Sequence, residues 1–151
     1  MFKKILVPID GSEESCTIVR WAAGLAPAND AEVSLLPVVD PEEFRIVEAT
    51  AMGPFTTDTS TEVIAEFVEK RKAELETEAE ALRAAGLIVD VIVAEGASAE
   101  SIVAEAKAPG SVIVMATHGA GGIKRWMIGS VTDKAIRSAH RPVLVIPPQD
   151  E

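Results

Sequence analysis

The sequence is poor in the residues that build covalent and metal-based sites. Among 151 residues there is one cysteine, Cys16, and there are two histidines. A single cysteine forms neither an internal disulfide nor a thiolate metal cluster, so a reducing compartment is expected and Cys16 is interpreted as an inert small residue. His118 and His140 have no acidic companion at metal-ligand spacing, so we expect no zinc site, and His118 is a loop donor or a solvated side chain.

Long apolar runs and positive charges are also scarce. The apolar run that begins at Ile5 is interrupted at Pro8, well short of a signal-peptide core, and no run approaches the roughly 20 residues that span a bilayer. Lys and Arg number 14 against 24 Asp and Glu, and the resulting net charge of −10 repels nucleic acid and anionic membranes. We therefore expect a soluble, cytoplasmic protein with neither nucleic acid nor membrane as a partner.

What the sequence does contain is typical of one α/β domain over residues 1–151. Short β-branched runs alternate with longer segments of helical period, which is the pattern of βαβ units around a parallel sheet. The predicted strands are Lys4–Ile9, Val33–Val39, Leu87–Ala94, Ser111–Ala116 and Pro142–Ile146. The predicted helices run from the Ser12 cap to about Ala26 and over Thr61–Ala85, Ser98–Ala106 and Ser130–Ala139. Residues 40–60 form a long connection, which is either a mobile lid or merely a loosely ordered loop.

A glycine-rich segment follows the predicted fourth strand and leads into the last helix. It spans residues 116–130, holds four glycines, and lies in the third of the chain, residues 108–151, whose net charge is +2. Glycines allow a backbone to approach a ligand closely, and a helix N-terminus attracts phosphate. Alternatively, the glycines only shape a turn and Ser130 forms a capping box with Asp133. Lys124 and Arg125 either neutralise phosphate or are ordinary surface charges.

Two common phosphate-binding motifs are absent. A P-loop requires Gly-x-x-x-x-Gly-Lys-Ser/Thr, and the chain has no Gly-Lys pair. The dinucleotide fingerprint requires Gly-x-Gly-x-x-Gly after the first strand. Here Gly119-Ala120-Gly121 follows the fourth strand and has Lys124 at the third glycine position. Neither of these nucleotide-binding families applies.

The spacing instead resembles the signature of the universal stress protein family, which is Gly-x-x-Gly, nine residues, then Gly-Ser/Thr after strand four. Here it reads Ala116-x-x-Gly119, nine residues, then Gly129-Ser130. The opening Val7-Pro8-Ile9-Asp10-Gly11-Ser12 and the closing Arg141-Pro142-Val143-Leu144-Val145-Ile146-Pro147 also resemble the two ends of that family. The resemblance covers essentially the whole chain, with residues 40–60 as a variable insertion.

The resemblance implies a doubly wound, five-stranded parallel sheet of order 3-2-1-4-5 with helices on both faces, similar to adenine nucleotide alpha hydrolases. It also implies ATP with Mg²⁺ between the loops after strands one and four. AMP or a cyclic dinucleotide stays open as the ligand. No dedicated metal site is implied, and Asp10 is the carboxylate that could contact the Mg²⁺ bound to ATP. The residues implied are Pro8, Ile9 and Asp10 for adenine and ribose, Val38, Val39 and Met115 around the base, and Gly119, Gly129, Ser130 and Val131 for the phosphates.

Two positions leave alternatives open. Ala116 stands where the family pattern has its first glycine. If its φ is positive, alanine costs about 1–2 kcal/mol and its methyl crowds the ribose, whereas at negative φ the methyl is nearly harmless. Asp10 is either a ligand group or a turn-former before Gly11.

The resemblance also implies a function and an assembly. We expect an ATP-binding stress-response protein that works as a nucleotide-gated homodimer. In the order 3-2-1-4-5 the last strand lies at an apolar, uncharged sheet edge, and residues 142–147 are expected to pair antiparallel between two protomers. The alternatives are an interaction module of the same family that has lost nucleotide, and a slow ATP hydrolase. The sequence gives hydrolysis little support because no base is paired with a nucleophile.

Overall fold

The computed structural model describes residues 1–41, 61–117 and 128–147. The strands are β1 (Lys4–Ile9), β2 (Glu32–Val39), β3 (Val89–Val91), β4 (Ala94–Glu95), β5 (Ser111–Ala116) and β6 (Val143–Ile146). The helices are α1 (Glu13–Asn29), α2 (Thr61–Ala84), α3 (Ser98–Glu105) and α4 (Ser130–Ser138). Most of the predicted 40–60 connection and the middle of the glycine-rich segment lie outside the described residues.

The strands form one parallel sheet in the order β3-β2-β1-β5-β6, with β4 also paired to β2. β1 lies at the centre and pairs with β2 from Lys4↔Glu32 to Ile9↔Pro37, and with β5 from Lys4↔Ser111 to Leu6↔Ile113. β6 pairs with β5 and forms an edge of the sheet. The predicted α/β class and strand order are confirmed.

The predicted third strand, Leu87–Ala94, is divided into β3 and β4. Both segments pair with β2 in the same register, since Leu35 lies beside Val91 and Val38 lies beside Ala94. Pro37 occupies the position between those two pairs and has no N–H to donate to the neighbouring strand. The hydrogen-bonded ladder is therefore interrupted opposite Pro37, and five predicted strands become six.

Each face of the sheet has its own hydrophobic core. Alternate residues of β1 point to opposite faces, so Ile5 and Val7 contribute to one core and Leu6 to the other. The first core contains residues of α1 and α2, including Ile18, Val19, Ala22, Leu75 and Ala79. The second contains Ile102 of α3, Ala106 directly after that helix, and Ala135 of α4. The two pairs of helices thus cover opposite faces, as expected of a doubly wound sheet.

The ends of the first two helices follow local chemistry. The Ser12 side chain caps α1 by accepting from the Ser15 N–H at 3.3 Å. The prediction that α1 ends at about Ala26 is wrong, because Pro27 lies inside the helix, which ends at Asn29. Pro27 is exposed there, so water can satisfy the carbonyl that loses its donor. Gly86, at φ +91°, ends α2 as predicted.

Within the described ranges, no helix is long and apolar enough to cross a membrane.

Candidate functional site

The candidate site lies at the edge of the sheet where β1, β2 and β5 have their carboxyl ends. In β1, Pro8 lies beside Leu36 of β2. The β1–β5 register that pairs Leu6 with Ile113 brings Pro8 level with Met115 when it continues for two residues. The loops after β1 and β5 therefore begin side by side, in the position where open parallel sheets bind ligands.

Several of the predicted contact residues use their side chains for the core. Ile9 and Val39 are buried, with 6% and 4% exposed, and Met115 is buried with 5% exposed. Pro8 and Val38 are half-buried, and Val38 packs against the second core. A ligand at this edge would therefore meet the backbone of Ile9 rather than its side chain.

The turn after β1 is built around the Asp10 carboxylate. Its Oδ1 atom accepts from the Ser12 N–H at 2.9 Å and from the Ser12 hydroxyl at 2.6 Å. The hydroxyl of Ser15, which is 5% exposed, also donates to Oδ1. These contacts are those of an Asx turn, so Asp10 forms the turn whether or not it also binds a ligand. Sequence reasoning missed Ser15, although Asp10, Ser12 and Ser15 share one short segment.

Ala116 does not have the backbone conformation that would require glycine. Among the described residues Asp30 is the non-glycine residue with positive φ, so the φ of Ala116 is not positive. The second of the two alternatives for this position therefore applies, and the methyl group introduces no left-handed strain. The Ala116 side chain packs against the first core.

The start of α4 is tied to the end of β5. Gly129, not Ser130, is the N-cap residue, and no side chain caps the helix. The Gly129 N–H donates to the Thr117 carbonyl at 2.7 Å, and the Thr132 hydroxyl donates to the Ala116 carbonyl at 2.9 Å. These bonds orient the first turn of α4 towards the carboxyl edge of the sheet.

The capping box of Ser130 and Asp133, which was the alternative to a phosphate site, does not form. Because the cap is Gly129, Asp133 lies one residue beyond the position that a capping box needs. Its carboxylate instead accepts from the Arg137 Nε at 3.0 Å, and this hydrogen bond raises the pKa of the Arg137 guanidinium above its ordinary value. The cap is Gly129 because its backbone is extended and its carbonyl accepts the first intrahelical bond.

The first turn of α4 presents backbone N–H groups that have no acceptor among the described residues. The first intrahelical bond runs from the Asp133 N–H to the Gly129 carbonyl at 2.9 Å. Within the described part of the chain, the N–H groups of Ser130, Val131 and Thr132 therefore have no acceptor, as in any helix start without a cap. The Gly129 N–H is already paired, so of the predicted phosphate contacts Ser130 and Val131 have an N–H without an acceptor in the described ranges, and Gly129 does not.

A cation that sequence reasoning missed lies at the turn after β1. Arg71 projects from α2, and a Cβ built on Gly11 would lie 2.9 Å from its Nη2 atom. Sixty residues separate Arg71 from Gly11, and no local pattern in the sequence predicts their contact. Gly119, with His118, Lys124 and Arg125, lies outside the described residues.

A small cavity of about 230 Å³ lies elsewhere, beyond the C-terminal ends of α3 and α4. It is lined by Val103, Ala106, Lys107, Ala139, His140 and Arg141. Arg141 Nη2 donates to the Lys107 carbonyl at 2.7 Å, which joins the ends of the two helices. This cavity lies at the opposite edge of the sheet from the candidate site.

Comparison with known proteins gives consistent results over the whole chain. A model of the universal stress protein family matches residues 1–147. Universal stress protein MJ0531 of Methanocaldococcus jannaschii is 35% identical over 148 residues, which are 97% of this chain and 82% of that protein.

Two solved structures that match this chain are also those of universal stress proteins. Protein MJ0577 of the same organism has a structure that matches with a TM-score of 0.81 at 30% identity, covering 100% of this chain and 99% of that one. A universal stress protein from Archaeoglobus fulgidus, solved in complex with dAMP, matches with a TM-score of 0.64 at 19% identity, covering 97% and 98%.

Proposed function

Because the chain belongs to the universal stress protein family, we propose that it binds an adenine nucleotide at the carboxyl edge of the sheet. The proposed ligand is ATP with Mg²⁺, and the proposed role is that of a nucleotide-gated homodimer in the cytoplasmic stress response. In this proposal Mg²⁺ binds together with the triphosphate. The Asp10 carboxylate lies at the same edge of the sheet and is the side chain that would contact the metal.

The start of α4 is the observation that carries the proposal. The N–H groups of Ser130, Val131 and Thr132 lack acceptors in the described part of the chain. Three amides at a helix N-terminus, together with the partial positive charge of the helix, suit the oxygens of a phosphate group. The hydrogen bonds from Gly129 and Thr132 to the end of β5 hold these donors in a fixed orientation.

Membership of the family supports an adenine nucleotide as the ligand that carries the phosphate. The related protein from Archaeoglobus fulgidus was solved with dAMP, which carries one phosphate. The negative φ range of Ala116 removes backbone strain as a reason to expect lost nucleotide binding. We therefore favour nucleotide binding over a nucleotide-independent interaction module, and we propose no hydrolytic mechanism.

A thermal-shift titration with Mg²⁺-ATP tests the proposal. A ligand that binds only the folded state adds RT ln(1 + [L]/Kd) to the free energy of unfolding, about 2.7 kcal/mol at one hundred times Kd. The protein should first be shown to contain no bound nucleotide, by denaturation and mass spectrometry of the released small molecules. Absence of a shift at millimolar ATP would favour the interaction-module alternative.

Replacement of Gly129 by Val tests the position of the site. Gly129 has φ −61°, which any residue adopts, so the substitution introduces no left-handed strain. A β-branched side chain at the cap would project where phosphate oxygens approach the backbone, and we expect ATP binding to be lost while the fold and the dimer persist. Ser130→Ala is the companion variant: since Ser130 does not cap the helix, it should retain both stability and the backbone donor. Unchanged ATP affinity in Gly129→Val would contradict the assignment.

A further inference from the structure

The guanidinium of Arg71 packs against the turn after β1. A Cβ built on Gly11 would lie 2.9 Å from Nη2, 3.3 Å from Nη1 and 3.4 Å from Cζ of Arg71. All three distances are at or below the closest ordinary contact of a Cβ atom, so the guanidinium occupies the space that a side chain at position 11 would need. Arg71 thus places a guanidinium beside Gly11, the residue after Asp10, at the edge where the nucleotide is proposed to bind.

Among the described residues, the hydrogen bonding of Arg71 leaves part of its guanidinium available. Nη1 donates to the Glu74 Oε2 atom at 3.1 Å. Nη2, the nitrogen closest to Gly11, donates to no acceptor in the part of the chain that is described. The Arg71 side chain is 22% exposed, so it is largely fixed by packing but still open to a ligand. Arginine carries five N–H donors in a planar fork that suits phosphate oxygens.

On the basis of the proposed nucleotide site, we propose that Arg71 is a ligand-binding residue whose Nη2 donates to a phosphate oxygen of the nucleotide. The local charges favour phosphate over a ribose hydroxyl as the acceptor. Asp10 places a carboxylate at the same turn, in a chain whose net charge is −10. Because these negative charges repel a polyphosphate, a guanidinium that faces the phosphates favours ATP binding, whereas a neutral nucleoside meets no such repulsion. Arg71 therefore discriminates nucleotides from nucleosides.

The test compares the dissociation constants of Mg²⁺-ATP and adenosine by calorimetry in nucleotide-free protein. Arg71→Gln should weaken ATP binding at least about tenfold, as expected for loss of a charge-assisted hydrogen bond. Adenosine binding should change less than about twofold. The difference between wild type and variant for ATP should shrink at high salt, because salt screens the charge that was removed.

Lys72→Gln is the matched control. It removes the same charge from the adjacent residue of α2, which is exposed and not the residue that packs on Gly11. The control should bind ATP as wild type does, and equal weakening in both variants would reduce the effect to net charge and overturn the assignment. Arg71→Lys, which retains the charge without the fork, should recover only part of the ATP affinity.

The remaining outcomes separate this inference from the proposed function. If wild type binds neither ATP nor adenosine, the nucleotide site itself is wrong. If wild type binds ATP and Arg71→Gln binds it equally well, only the role of Arg71 is wrong. Equal loss of ATP and adenosine in Arg71→Gln would show that Arg71 merely supports the turn, and this would also overturn phosphate binding by Arg71.

Discussion

The open edge of the sheet at β6 allows a direct test of the proposed homodimer. The Ile113 N–H donates to the Pro142 carbonyl at 3.0 Å, and the Thr117 N–H donates to the Ile146 carbonyl at 3.1 Å. Along a strand, successive residues direct their N–H and C=O groups to opposite sides. The even-numbered residues of β6 therefore face β5, and Val145 directs its N–H away from β5, towards the edge where a second protomer would pair.

Replacement of Val145 by Pro removes that outward donor and should weaken the dimer. A two-fold axis makes every interface contact occur twice, so the substitution removes two hydrogen bonds from each dimer. At about 0.5–1.5 kcal/mol for each bond, the loss is about 1–3 kcal/mol, or about 5- to 150-fold in the dimer dissociation constant. The monomer fold should persist, because proline is tolerated on an edge strand where its nitrogen faces outwards.

Two further variants make the measurement specific. Val145→Thr keeps the N–H and the β-branched shape, so it should dimerise like wild type. Leu144→Pro removes a donor that faces β5 and should destabilise the monomer, which thermal unfolding would detect. Sedimentation equilibrium over a range of concentrations measures the dimer directly. A wild-type monomer at micromolar concentration, or equal dissociation constants for the Val145→Pro and Val145→Thr proteins, would refute pairing through this strand.

Three further predictions concern stability and ionisation. Ser34 is 0% exposed and its hydroxyl has no partner among the described residues, so Ser34→Ala should raise the free energy of unfolding by about 1 kcal/mol in urea titrations, and a decrease would contradict this. A hydrogen bond from Lys134 lowers the pKa of Glu100, so this pair stabilises the fold above the ordinary pKa that the carboxyl has in the unfolded chain and ceases to do so as pH falls through the lower folded-state pKa. NMR titration of Lys134→Gln should return the Glu100 pKa towards its ordinary value, and an unchanged pKa would exclude the pair as the cause. Gly11→Ala should lower the free energy of unfolding by about 1–2 kcal/mol, because φ is +86° there, and an unchanged unfolding curve would refute the left-handed conformation.

The strands were predictable where burial and sequence pattern coincide. The bounds of β1 and β5 agree with prediction residue for residue, because both are apolar runs at the centre of the sheet with turn-forming residues beyond them. The division of the third strand was not predictable from its own residues. Its cause is Pro37 on the neighbouring strand, and the residues that lie opposite Pro37 can be identified only when the register of the two strands is known.

The candidate site shows the same limit. The approximate start of α4 follows from the local sequence, but that sequence does not predict that Gly129 is the cap or that its N–H donates to the Thr117 carbonyl just after β5. The Asp10 turn was predicted as one of two alternatives from the residues around it. The contact of Arg71 with Gly11 connects α2 to that turn over sixty residues, and it depends on how two elements pack rather than on any periodic pattern.

The two sides of the proposed site would tolerate mutation differently, because one consists of backbone and the other of side chains. At the start of α4 the proposed phosphate donors are amides, which almost any residue supplies, so substitutions there should matter only when a side chain blocks the approach, as in Gly129→Val. At the turn after β1, Asp10 and Arg71 act through their own side chains, and their replacement removes a charge that no backbone group can supply. Changes near α4 should therefore alter whether phosphate binds at all, whereas changes at Arg71 should alter which ligands the protein distinguishes.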